Sequence, residues 1–188
     1  MTASILGFSG SSRRGSINKQ LLHYLVKRIR VLGGEATVVD LADFDVPLYN
    51  GDLEEADGIP PDARRFYRLL KEHRGFLIAC PEYNRSITPL LKNTIDWASR
   101  PRPGDRPLEA FDGKVAGLCA ASPGVLGGLR GLFHVTEILQ NIGTSVLPKQ
   151  VAVGRFEDAF DDSGQLADER IRGMADGMCR DLLAAVEN

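Results

Sequence analysis

The stretch "GFSGSSRRGSINKQLL", residues 7–22, decides how the rest of the chain is read. It continues an apolar run, "ASILGFS" from Ala3, of the kind that forms a strand buried on both faces. Beyond it, Leu21, Leu22, Leu25, Val26, Ile29 and Leu32 recur at the spacing of about 3.6 residues that lays one apolar stripe along a helix, stopped at Gly33-Gly34. Between strand and helix lies a turn of glycine, serine and arginine. Gly10 and Gly15 let the backbone turn tightly. Ser11, Ser12, Arg13, Ser16 and Asn18 bring hydroxyl, guanidinium and amide donors to the place where the first free N–H groups of the helix, and its dipole, emerge. Taken singly, Ser16 is equally a plain N-cap and Asn18 a turn residue, with the arginines solvated. Taken together they form an anion cup.

The same alternation continues to the end of the chain. Further strands are expected at "EATVVDL" from Glu35, "GFLIACP" from Gly75, "KVAGLCAA" from Lys114 and "TSVLPKQVAV" from Thr144. Helices are expected over residues 61–73, 89–99, 128–141 and 168–186. Near-continuous apolar strands between helices imply an α/β fold, a parallel sheet covered on both faces. Five strands suit a doubly wound sheet of order 2-1-3-4-5, which binds ligands beyond the carboxyl ends of its strands, where the strand order reverses. The loops after Ser9 and Cys80 are therefore expected to matter most. Two polar segments, from Ala42 and from Arg100, are too rich in proline and glycine for core elements and read as rims or connections.

Composition narrows the function. With 188 residues and 43% apolar content, one domain covering 1–188 can bury a sizeable core. The 23 basic and 25 acidic residues nearly cancel, which excludes a nucleic-acid or membrane-surface binder relying on bulk attraction. Three dispersed cysteines without a C-x-x-C pair read as buried thiols in a reducing compartment, and no run approaches the ~18 apolar residues of a membrane span, so a cytoplasmic protein is expected. The acids between Asp43 and Asp62 match no calcium loop, and no metal is expected. The three histidines sit on helices without a nucleophile motif and read as structural or exposed.

The first loop also narrows its anion. Gly10 and Gly15 have the spacing of a nucleotide triphosphatase loop, but Ser16 stands where the lysine is needed. Gly7 and Gly10 are too far apart to begin a dinucleotide fingerprint. A terminal phosphomonoester fits better, as in flavin mononucleotide (FMN). After strand 3, Pro81 and Asn84 shape a turn, Tyr83 supplies an aromatic face, and loop N–H groups can meet the edge of a flat heterocycle. Thr88 and Pro89 then read as N-cap and first helical residue, and Lys92 with Asp96 as a pair one helical turn apart. After strand 4, Ser122 and Gly124 can approach a ring edge, and Gly127-Gly128 permits close backbone contact. Each of these loops alone is equally a turn closing a helix. Phosphate on one and ring on the other two describe a single ligand.

At these residues the chain resembles the NADPH-dependent FMN reductase family of flavodoxin-like proteins, which includes quinone, chromate and azo reductases. "GSSRRGSIN" is similar to its phosphate motif, "PEYNRSITPLLKNTIDWAS" to its flavin-ring motif and "SPGVLGG" to its third loop. Thr88-Pro89 departs from the proline-glycine of many relatives. The resemblance implies that Ser11, Arg13, Ser16, Ile17 and Asn18 bind the FMN phosphate and ribityl chain, Pro81, Glu82, Tyr83 and Asn84 the isoalloxazine, and Ser122 and Gly124 its far edge. It implies ping-pong hydride transfer from NADPH or NADH to FMN and on to a small-molecule flavin, quinone, azo or metal-oxyanion acceptor. No side chain stands out as a required acid or base. It also implies a homodimer or homotetramer, to which the apolar segment "LFHVTEILQNIG" could contribute. The competing reading is an electron-carrying flavodoxin with no enzymatic activity, though such carriers tend to be strongly acidic.

Overall fold

In the computed structural model, residues 4–187 are described, so Ala3 of the first expected strand lies outside them. Six parallel strands form the sheet: β1 (Ser4–Ser9), β2 (Glu35–Val38), β3 (Gly75–Ala79), β4 (Val115–Ala121), β5 (Ser145–Val146) and β6 (Val151–Val153). The order is β2-β1-β3-β4-β5, with β6 also pairing with β4. This is the doubly wound, flavodoxin-like arrangement expected from the sequence.

The expected fifth strand is interrupted. Val115 and Ala116 pair with Ser145 and Val146, whereas Cys119 pairs with Val151, so Leu147, Pro148, Lys149 and Gln150 span the length of two β4 residues. Pro148 has no N–H to donate to the ladder, and the chain bulges there. The expected second strand also ends early, at Val38, before a short 3-10 turn at Leu41–Asp43 that Asp40 caps through the Ala42 N–H.

Helices α1 (Ile17–Val31) and α6 (Glu169–Glu187) cover one face. Helices α3 (Pro61–Glu72), α4 (Pro89–Ala98) and α5 (Leu129–Asn141) cover the other. Successive strand side chains divide between these cores: Leu77 and Ala79 face α1 and α6, while Phe76, Ile78 and Cys80 face α3, α4 and α5. All five residues of β3 are buried, as a central strand covered on both sides requires. Leu21, Leu25 and Ile29 of α1 are wholly buried, each burial contributing roughly 1.5–3 kcal/mol against exposure.

The segment after Ala42, expected to rim the site or connect elements, contains a further helix, α2 (Gly51–Asp57). Asn50 caps it by accepting from the Asp52 N–H, and none of its residues is buried. It owes its place to its neighbours: Tyr49 donates to Glu54 at 2.9 Å, and Arg100, just past α4, donates to the same carboxylate at 2.8 Å.

Candidate functional site

The parallel strands direct the loops after β1, β3 and β4 to one edge of the sheet, with the order reversing between β1 and β3. Hydrogen bonds between residues distant in sequence tie these loops together. Gly10 N–H donates to the Ala79 carbonyl at 2.9 Å, and the Thr88 hydroxyl donates to the Gly10 carbonyl at 2.7 Å while accepting from the Leu91 N–H as the N-cap of α4. A β-carbon at position 10 would lie 2.9 Å from the Leu91 β-carbon, so glycine permits this approach.

Ser16 is the N-cap of α1, its hydroxyl accepting from the Lys19 N–H at 3.4 Å. Arg13 bends back to the Gly15 carbonyl at 3.1 Å and keeps an exposed guanidinium without an ion pair among the described residues. The backbone N–H groups of Ser12, Gly15, Ile17 and Asn18 have no acceptor among the described residues, and α1 has no acid in its first turn. The Ser9 hydroxyl, at the carboxyl end of β1, is buried without a partner. Unspent donors, an arginine and a helix N-terminus, with no acid between Gly7 and Leu22, suit a phosphate dianion.

Asn18 makes a different contribution. Its side-chain amide is buried, donating to the Ala121 carbonyl at 2.8 Å and accepting from the Ala121 N–H at 2.9 Å. It therefore binds the first loop to the root of the third. Ile17 begins α1 and is partly buried against the core.

In the second loop, Pro81 is buried and Tyr83 is 55% exposed. Tyr83 and Ser86 exchange backbone hydrogen bonds of 2.9 and 3.0 Å, and Asn84 and Arg85 between them have φ of 51° and 68°. This is a tight primed turn of the type asparagine favours. Glu82 points back into the protein. Its carboxylate accepts from Arg130 at 2.9 and 3.1 Å and from the Gly131 N–H at 3.1 Å, in the first turn of α5. Burial pushes this carboxyl up, but the Gly131 N–H and the Arg130 guanidinium outweigh it and hold the group below the usual carboxylate range.

The third loop is anchored on β6. Ser122 N–H donates to the Val153 carbonyl at 3.1 Å, Arg155 N–H reaches the Gly124 carbonyl at 3.2 Å, and the Ser122 hydroxyl donates to that carbonyl at 3.2 Å. Gly127 and Gly128 have φ of 61° and 87°, and a β-carbon on Gly128 would come within 2.8 Å of the Ala120 β-carbon. Val125 and Leu126 project outward from this loop.

The structure thus places the expected site residues on three loops and the first turn of α1, at one edge. It turns the Glu82 carboxylate and the Asn18 amide to binding those loops together. Sequence reading missed the Glu82–Arg130 and Thr88–Gly10 contacts, which join residues 48 and 78 positions apart and leave no local pattern.

Comparison with known proteins agrees with this geometry. A profile described as NADPH-dependent FMN reductase matches residues 3–158. The chain belongs to the NADPH-dependent FMN reductase family. It is 37% identical over 170 residues to the NAD(P)H-dependent FMN reductase of Pseudomonas aeruginosa, covering 89% of this chain and 86% of that one. It is 33% identical over 145 residues to the quinone reductase of Escherichia coli, covering 77% and 73%. Among solved structures, the flavoenzyme NAD(P)H:(acceptor) oxidoreductase of Paracoccus denitrificans superposes with a TM-score of 0.82 at 27% identity, covering 99% of this chain and 98% of that one. As a member of this NADPH-dependent FMN reductase family, the chain is an oxidoreductase that works with FMN and NAD(P)H.

Proposed function

We propose that the protein passes electrons from NAD(P)H through FMN to a quinone-type acceptor in a ping-pong cycle. The observation that carries this reading is the meeting, at one sheet edge, of a first loop with unspent anion donors and two loops with exposed apolar side chains, Tyr83, Val125 and Leu126. Bound there, FMN would supply reversible two-electron chemistry.

The chain's own part is binding and orientation. Ser11, Arg13, Ser16 and the N–H groups of Ile17 and Asn18 hold the phosphate, and the Asn18 amide holds the first and third loops in register. The backbone of Pro81, Glu82, Tyr83 and Asn84 would hold the ring, together with Ser122 and Gly124. Glu82 acts through its carboxylate, clamping the ring loop to α5. Tyr83, Val125 and Leu126 offer an apolar rim to a flat acceptor, which favours a quinone over a metal oxyanion.

We further read the chain as one domain acting in the cytoplasm, in keeping with three buried free thiols. No helix among the described residues is long and apolar enough to cross a membrane. We also propose a homodimer or homotetramer, supported by Phe133 of α5, which is 59% exposed beside these loops.

Anaerobic mixing of the FMN-loaded protein with NADPH or, separately, NADH, followed by benzoquinone, tests the reading. Flavin absorbance should bleach and then recover, and double-reciprocal plots should be parallel. Absence of bleaching by either nucleotide would favour the electron carrier instead.

A further inference from the structure

A cavity of about 500 Å³ opens between α2, α3 and the chain that follows α4, and no residue of the three loops lines it. Ile59, Pro101 and Pro103 give it apolar walls, and three arginines line it, Arg64, Arg68 and Arg102. The charge pattern of α3 sets two of these apart. Arg65 pairs with Asp62, and Lys71 with Asp105 and Glu109, yet Arg64 and Arg68, which line the cavity, have no ion pair among the described residues. Four positions apart, they share one face of the helix, where like charges repel.

Arg102 is held in place without a carboxylate. Its guanidinium stacks 3.6 Å from the centroid of the Tyr67 ring and donates to the Arg100, Ala98 and Trp97 carbonyls at 2.8, 3.2 and 3.3 Å, leaving a buried Nε without a partner. Burial holds this arginine below its ordinary value, and the nearby Arg64 charge acts in the same direction, only partly offset by the surrounding acids and Tyr67. The two acids lining the cavity are already engaged: Glu54 by Arg100 and Tyr49, Asp105 by Lys71 and Tyr67. Three clustered guanidiniums therefore lack a counter-anion of their own.

We propose that this cavity is a second ligand site, separate from the flavin site, for a nucleoside diphosphate or a similar organic phosphate. Arg64 and Arg68 offer the planar forks that match phosphate oxygens, Arg102 adds a fixed positive charge, and Pro101, Pro103 and Ile59 offer flat apolar surface to a heterocycle. The proposal does not depend on the reductase reading.

Isothermal titration of the FMN-loaded full chain with ADP tests it, with inorganic pyrophosphate and adenosine separating the two halves of the ligand. One ADP should bind per chain, more tightly than either half and more weakly as salt rises. The double variant Arg64→Ala/Arg68→Ala should weaken ADP by about tenfold or more, while flavin absorbance and the rate of flavin bleaching by NADPH stay unchanged. Both side chains are exposed, so the fold should survive. A melting curve checks this, and Arg68→Gln serves as a milder second variant. No heat with ADP, equal binding to both variants, or displacement of ADP by saturating NADPH would overturn the proposal. Pyrophosphate binding as tightly as ADP would overturn the nucleotide assignment.

Discussion

Arg13 in the first loop and Asn18 in the first turn of α1 are five positions apart and should behave differently when removed. Arg13 is exposed and bonds only within its own turn, so Arg13→Ala should leave the melting temperature nearly unchanged. It should raise the FMN dissociation constant roughly tenfold to a hundredfold, the worth of one charge-assisted phosphate contact, as read by fluorescence titration. Asn18→Ala instead strands both backbone groups of Ala121, and denaturant melts should show a loss of about 2–4 kcal/mol together with weaker FMN binding. Glu82 adds a pH signature. Its folded pKa is depressed, so its stabilisation is present above the ordinary glutamate value of about 4.3 and is lost as pH falls through the folded value. The difference in melting temperature between wild type and Glu82→Gln should therefore be widest near neutral pH and close only as pH falls through the depressed folded value. A difference that persists in acid would mean that the carboxylate charge is not what clamps the loop.

Among the elements, the start of α5 is the most constrained. Gly128 precedes Leu129 with φ of 87°, and its missing β-carbon is what lets the third loop pass Ala120. Gly128→Ala should cost about 2 kcal/mol or more in a denaturant melt, from left-handed strain and the clash combined. The cost should fall on FMN binding as well, because Glu82 clamps the ring loop to this same helix start. Most elements were legible from the chain: the stripe of α1, the Thr88-Pro89 start of α4 and the Lys92–Asp96 pair all stand where local chemistry put them. The break between β5 and β6 had a visible sign in Pro148. Helix α2 did not, since it has no buried face and therefore no apolar period, and it rests on Tyr49 and Arg100.

In the whole molecule, the exposed side chains of Tyr83, Val125, Leu126 and Phe133 sit on or beside the loops that form the site. If they meet a second copy, Phe133→Glu should shift the protein toward monomer in light scattering while leaving the melting behaviour of the isolated chain little altered. An unchanged mass would assign Phe133 to solvent. The alternation of strand and helix and the donor-rich first loop follow from sequence alone, because hydrophobic period and turn chemistry are properties of neighbouring residues. Folding was needed to show what Glu82, Asn18 and Thr88 do. Their partners lie in other loops and elements, and a hydrogen bond between residues as much as 103 positions apart exists only once the sheet register has brought those segments together.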